Sequence, residues 1–242
     1  MGWIKSARPG NAGAVGNTLE DLLEIEENNL PLPNAGEWEI KTQRAETGSL
    51  TTLFHMEPSP RALRFVPQVL LPKYGWAHRE AGGQYQATEM SFRQTITGNV
   101  RTDRGFTVLI DEKNQKVVVS FDSKAVAACH ADWLKSVSER AGLNELNPQP
   151  YWGFDDLTSK ARTKLVNCFY VRAETKWEGS DEFFLYRRIY ILSKFAGGKF
   201  VHAIGGGYVL IDFDARSGHN HGTKFRLKQE ARPLLYENIL EV

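Results

Sequence analysis

The sequence predicts an α/β or α+β fold. Three observations lead there: apolar residues at helical spacing in some segments, two-residue alternation in others, and turn chemistry between them. With 242 residues, 41 % of them hydrophobic, the chain can bury a real core as one large domain or two small lobes. A charged fraction of 24 % with 11 % aromatics excludes a disordered chain. No run of 18 apolar residues occurs, which argues against a helical membrane span. The opening segment MGWIKSARPG lacks the apolar stretch of a secretion signal. Cys129 and Cys168 form neither a disulfide framework nor a metal cluster, so the expected compartment is the cytoplasm, with free thiols.

Residues 8–17, RPGNAGAVGN, read as a Gly-rich loop. Thr18 reads as a helix N-cap with Asp21 as its capping-box partner, and Leu19, Leu22 and Leu23 give an apolar stripe through about Asn28. Residues 28–36, NNLPLPNAG, are turn chemistry, and EWEIKT at 37–42 is a short strand. Residues 55–87 read as a long irregular stretch, of the kind more often functional than idle. Segments 106–111 and 116–121 form a hairpin, and 123–141 an amphipathic helix. A helix over 154–166 leads into a strand at 168–173. Residues 182–195 fit strand or helix, and periodicity does not decide between them. Strands follow at 208–213 and 223–228.

Charge is unevenly placed. Residues 9–40 hold seven acids and no Lys or Arg, against a net charge of +1 for the chain, so the remainder carries +8. An acidic block on a basic protein suits a metal-dependent enzyme acting on a polyanion; it equally suits a solvated acidic helix. Within that block, strand alternation puts Trp38 and Ile40 on one face, suited to the core, and Glu39 and Lys41 side by side on the other. A carboxylate there can bind Mg²⁺, which polarises a phosphate, and the ammonium can orient water or neutralise developing charge. Glu20, Glu24 and Glu27 share a helix face upstream, with Glu20 in the first turn.

The segment LEDLLEIEENNLPLPNAGEWEIKT resembles the catalytic region of the MvaI/BcnI type II restriction endonucleases. It is also similar to the mismatch-repair nicking enzyme MutH, whose motif strand ends in an aromatic-Glu-aliphatic-Lys-Thr run. GNAGAVGNT, SLTTLF, TGN, YWGFDDL and HNHGTKFRL resemble family segments in the same order, covering most of the chain outside about 55–90. The resemblance implies a PD-(D/E)xK restriction-endonuclease-like, MutH-like two-lobed fold with a central mixed β-sheet flanked by helices. It implies one endonuclease domain over 1–242, with the catalytic motif in the N-terminal part and much of DNA recognition in about 150–242. It maps Glu20, Glu39 and Lys41 onto catalytic positions and the first motif acid onto Asn34, a departure, because an amide lacks the anionic metal ligand. Three readings stay open at Asn34: a substitution introduced to trap uncut DNA, a naturally weak or inactive protein, or replacement of the missing carboxylate by Glu37.

Other candidates are weighed against plainer readings. The 10–18 loop lacks the P-loop lysine, which rejects nucleotide hydrolysis; it is a phosphate contact or simply a tight turn. His219-Asn220-His221 spells HNH without that motif's long spacing, and no further Cys or His completes a zinc site. With Asp212, Asp214 and Arg216 upstream and Lys224 and Arg226 downstream, the cluster is rich in base-edge chemistry; without the resemblance it is an ordinary polar loop. With it, these residues are expected to read double-stranded DNA in the major groove, although Asp214 does not match the family pattern cleanly. Arg61, Arg64, Lys73 and Arg79 are a DNA clamp or a surface loop.

The resemblance thus implies a Mg²⁺-dependent type II endonuclease, monomeric, cutting short sites of the CC-N-GG kind to leave 5′-phosphates. Glu39 and residue 34 would hold the metal, Lys41 would position water, and Glu20 would assist. A cognate DNA methyltransferase is expected in the same system, not as a physical partner. The alternatives are a MutH-like nicking enzyme, a catalytically dead DNA-binding module, and a structural protein with a chance Glu-x-Lys strand.

Overall fold

The computed structural model describes residues 2–25, 38–45 and 47–242. In chain order the strands are β1 (Ile4–Lys5), β2 (Glu39–Arg44), β3 (Leu50–His55), β4 (Trp76–Ala77), β5 (Met90–Ile96), β6 (Arg104–Asp111), β7 (Lys116–Val126), β8 (Tyr151–Gly153), β9 (Cys168–Glu178), β10 (Asp181–Phe195), β11 (Val209–Arg216), β12 (His219–Lys228) and β13 (Tyr236–Glu241). The α-helices are α1 (Ala14–Leu22), α2 (Leu71–Tyr74), α3 (Ala131–Ala141), α4 (Phe154–Arg162) and α5 (Gly197–Gly205). The mixture is the expected α+β class. None of these helices is long and apolar enough to cross a membrane. Two compact units form from interleaved segments: Met1–Ser49, Arg162–Ala196 and Gln229–Val242 in the first, Leu50–Ala161 and Gly197–Lys228 in the second.

The first unit is built on a sheet of order β1–β10–β9–β2, with β13 pairing the far half of β10. The stretch 182–195, ambiguous by periodicity, is a strand because β9 supplies an antiparallel partner along most of its length. β2 runs parallel to β9, from Glu39 opposite Cys168 to Arg44 opposite Ala173. On one sheet face, Ala14 and Val15 of α1 pack with Ala173, Phe184 and Tyr186, and the Tyr186 hydroxyl donates to the Val15 carbonyl at 2.9 Å. On the other face Cys168 and Tyr170 are buried, and the Tyr170 hydroxyl donates to the Gln229 carbonyl at 3.0 Å. The Tyr236 hydroxyl donates to the Val166 carbonyl at 2.9 Å. Burial pushes the Tyr170 phenol up to about 12.

The helix begins four residues before the expected cap. Asn11 turns the chain, its Oδ1 accepting the Gly13 N–H at 2.8 Å, and Thr18 lies buried inside α1. Gly16 disfavours a helix by about 1 kcal/mol relative to Ala. Here it admits β2, since a Cβ at Gly16 would stand 3.1 Å from the Thr42 hydroxyl. α1 ends at Leu22, and Glu24 has φ 54, so Glu24 does not continue the face of Glu20. Glu27 lies outside the described residues.

The second unit has an antiparallel sheet of order β3–β12–β11–β5–β4 and a smaller sheet β6–β7–β8. β6 and β7 form the expected hairpin. The expected helix over 123–141 starts only at Ala131, because β7 keeps its partner as far as Val126 opposite Arg104. The stretch read as irregular is helical over much of 61–74; Pro67 and Pro72 sit in first turns, where a missing N–H costs little. The core is a chain of aromatic contacts: Phe54–Phe225 at 4.9 Å between ring centroids, Phe213–Phe92 at 5.5 Å, Phe92–Phe106 at 5.6 Å and Phe106–Phe121 at 5.0 Å. Along β11, Val209, Ile211, Phe213 and Ala215 are buried, which turns Asp212, Asp214 and Arg216 to the opposite face.

Candidate active site and nucleic-acid interface

β2 is the edge strand of its sheet among the described residues. Glu39 and Lys41 stand on one face of it, as two-residue alternation demands, and the Lys41 ammonium contacts Glu39 Oε1 directly. Both side chains remain partly open to solvent, 24 % for Glu39 and 42 % for Lys41. Their register partners on β9 are Cys168 and Tyr170, so the pair sits at the rim of the layer packed around those residues. Burial pushes the Cys168 thiol up, against the charges of Arg232 and Lys41. The division of faces differs from expectation in one respect. Trp38 and Ile40 are only half-buried, Trp38 against Phe169 at 5.0 Å, while the buried member of β2 is Gln43, on the face of the acid–lysine pair. Among the described residues, both faces of β2 are partly covered, with Gln43 buried on one and Ile40 and Thr42 half-buried on the other.

The donor set is sparse. Among the described residues no three His, Cys, Asp or Glu side chains gather into a metal cluster. Mg²⁺ needs less than that, since it takes one or two carboxylates and completes its shell with water and substrate phosphate. A half-exposed carboxylate such as Glu39 fits that requirement. Asn34 and Glu37 lie outside the described residues. Glu20 is half-buried on α1, and α1 sits against the Thr42 side of β2, opposite the face of Glu39 and Lys41.

The base-edge candidates are gathered on the second unit. The exposed face of β5, β11 and β12 carries a lattice of charges. Asp214 accepts from Arg93 at 2.6 Å and from Lys224 at 2.9 Å. Asp212 accepts from Thr95 at 3.0 Å and lies 3.4 Å from Arg226, and Arg216 pairs with Glu89 at 2.9 Å. Partial burial pushes the Asp214 carboxyl up, but the Lys224 hydrogen bond and the charges of Lys224 and Arg93 outweigh it and hold the group below the usual range. Arg93, Gln94, Thr95, Asp212, Phe213 and Asp214 line a cavity of about 530 Å³. His219, Asn220 and His221 are exposed at the start of β12, with the two imidazoles 4.2 Å apart. Gly222 has φ +86, where its N–H donates to Asn220 Oδ1 at 3.0 Å and a Cβ would stand 3.2 Å from His55.

Sequence reasoning missed Arg93 and Thr95. The signal was present in Met-Ser-Phe-Arg-Gln-Thr-Ile, whose alternation marks β5. It also left His55 without a role and overlooked Glu57, whose Oε1 accepts the Thr223 N–H at 2.8 Å beside Gly222. Of the 61–85 cations, Arg61, Arg64 and Lys73 belong to the helical stretch and Arg79 pairs with Glu80 at 3.1 Å.

No curated protein sequence matches the chain. Among solved structures it is similar to the restriction endonuclease MvaI in complex with cognate DNA substrate, at 25 % identity and a TM-score of 0.64 over 99 % of this chain and 92 % of that one. MvaI without DNA gives 25 % identity and a TM-score of 0.62 over 100 % of this chain and 91 % of that one. The fold is accordingly of the PD-(D/E)xK type. A family model described as MvaI/BcnI restriction endonuclease matches residues 1–236. An edge strand with a paired glutamate and lysine, a charged sheet in a second unit and a family match over nearly the full length agree: the chain belongs to the MvaI/BcnI restriction endonuclease family.

Proposed function

We propose that the protein is a Mg²⁺-dependent type II restriction endonuclease that cuts double-stranded DNA at a short site of the CC-N-GG kind and leaves 5′-phosphates. The observation that carries the chemistry is the Glu39–Lys41 pair, in contact, half-exposed, on an edge strand. Glu39 would hold the cation, with residue 34 as second ligand. When bound, Mg²⁺ would polarise the scissile phosphate and lower the pKa of water at the site. Lys41 places a positive charge beside the glutamate, suited to orienting the attacking water and to neutralising charge that builds on the phosphorus oxygens. Glu20 is assigned a supporting role from α1, which lies on the other face of β2.

The acceptors Asp212 and Asp214 suit the exposed amino group of cytosine, and Arg216, Lys224, Arg226, His219, Asn220 and His221 suit purine edges in the major groove. A monomer acting on one strand at a time is the working form, beside a cognate methyltransferase that does not bind it. The test is digestion of unmethylated, hemimethylated and fully methylated plasmid with Mg²⁺, by this protein and by Asn34→Asp, with the fragment ends sequenced. Double-strand breaks at one short sequence with 5′-phosphate ends are expected. Nicks confined to hemimethylated DNA would assign MutH-like repair activity instead, and tight site-specific binding without cleavage by either protein would assign a DNA-binding module.

A further inference from the structure

The face of the first sheet that carries Glu39 and Lys41 continues into a cluster of arginines. Arg172 follows Tyr170 by two residues on β9, and its register partner on β2 is Gln43, next after Lys41 on the same face. On β10 the residue opposite Arg172 is Arg188, and the register slips there so that Arg187 is the extra residue of a β-bulge. Like charges directly opposite on paired strands are destabilising, and a bulge is a common device for re-aiming a side chain beside a site. Arg172, Arg187 and Arg188 line a cavity of about 290 Å³ with Ala45 and Glu174. Among the described residues their neutralisation is loose: Arg187 lies 3.5 Å from Glu174 and Arg188 3.9 Å from Glu241, all four side chains well exposed. Arg172 donates one NH2 to the Ala45 carbonyl at 3.0 Å, while its buried Nε has no partner among the described residues. Three converging guanidiniums with weak counter-charges are built for an anion with several acceptor oxygens.

We propose that Arg172, Arg187 and Arg188 form a clamp for a backbone phosphate of the DNA, about two base pairs along the duplex from the scissile group. Two residues along a strand is roughly 7 Å, and that is about two base-pair rises of 3.4 Å. The inference rests on the reading of Glu39–Lys41 as the cutting site. The clamp carries no sequence information; it fixes register. The test measures the affinity of a short duplex bearing the mapped site, and of a scrambled duplex, across a salt series in EDTA. Each lost phosphate contact lowers the slope of log K against log salt by about 0.9. Arg187→Ala/Arg188→Ala, which takes two of three guanidiniums from that one phosphate, is therefore expected to lower it by about 0.9 on both duplexes and leave their affinity ratio unchanged, while Arg187→Lys/Arg188→Lys keeps most of the slope. An unchanged slope in the alanine variant overturns the clamp alone. The same loss in Lys113→Ala/Lys135→Ala, which removes two charges elsewhere, overturns it as bulk charge. Failure of the unaltered protein to bind either duplex overturns the clamp together with the proposed function.

Discussion

Glu182 is the buried anchor of the strand that carries Glu39 and Lys41. Its side chain is 2 % exposed and accepts from Arg44 Nε at 3.2 Å, from an Arg44 NH2 at 2.8 Å and from the Gly10 N–H at 2.9 Å. Arg44 ends β2, and Gly10 precedes the turn into α1, so one carboxylate ties β10, β2 and the entry to α1 together. Removing one member of a buried ion pair costs about 3–5 kcal/mol, because the other charge is left uncompensated. Arg44 keeps its bonds to the Asn11 and Ala12 carbonyls and is 25 % exposed. Glu182→Ala is therefore expected near the lower limit, about 3 kcal/mol. Glu182→Gln, which keeps the shape but exchanges charge-assisted bonds for neutral ones, is expected to cost about 1–2 kcal/mol. Urea denaturation at pH 7 measures both. Adding Arg44→Met removes the stranded cation, so the double variant should cost less than the sum of the two single changes, by at least about 1 kcal/mol. A Glu182→Ala protein within about 0.5 kcal/mol of the parent would refute the role assigned to this pair.

Further outcomes are expected. Glu39→Gln and Lys41→Met should each reduce Mg²⁺-dependent cleavage by about 10²-fold or more, with duplex affinity in EDTA changed only a few-fold; a cleaving Glu39→Gln protein would remove that residue from the site. Asn34→Asp should raise cleavage, and equal activity of the two proteins would show that position 34 does not limit the reaction. Asp214 titrates below its ordinary value of 3.8 in the fold, so its contribution to stability is complete above that value and is lost as pH falls through the lowered one. Asp214→Asn should therefore lose less stability than the parent between about pH 4 and pH 2, read by thermal unfolding; parallel acid limbs would contradict the pairing with Lys224 and Arg93. Gly98→Ala should destabilise the second unit by about 1–3 kcal/mol, since its Cβ would meet the Gly205 backbone at 2.6 Å; an unchanged midpoint would disprove that close approach.

The strand of Glu39 and Lys41 is legible because two-residue alternation is a local rule. Glu-Ile-Lys puts its acid and its lysine together whatever surrounds them, and the structure brings the two side chains into contact. What surrounds them was not local. Whether Trp38 or Gln43 is buried depends on which strand lies alongside and on what covers it, and those partners come from distant residues. The start of α1 departs from expectation for a related reason. Gly13 and Gly16 read as loop by propensity, yet Gly16 is what allows the helix to approach Thr42. The strand at 182–195 shows the reverse case: its own pattern is undecided, and pairing with β9 decides it. For Arg93 and Thr95 the alternation of β5 is local and legible, but their meeting with Asp214 and Asp212 depends on β5 pairing with the distant β11.

The parallel pairing of β2 with β9 has a consequence for biosynthesis. Glu39 is laid opposite Cys168, and the intervening chain builds most of the other unit before the partner strand is made. A chain emerging from the ribosome N-terminus first carries residues 39–44 out long before β9, their partner in the sheet, exists. A truncated product that ends before residue 168 therefore carries the Glu-Ile-Lys letters without the strand that β2 pairs with, and the acid and lysine gain their place in the sheet only once β9 has been made.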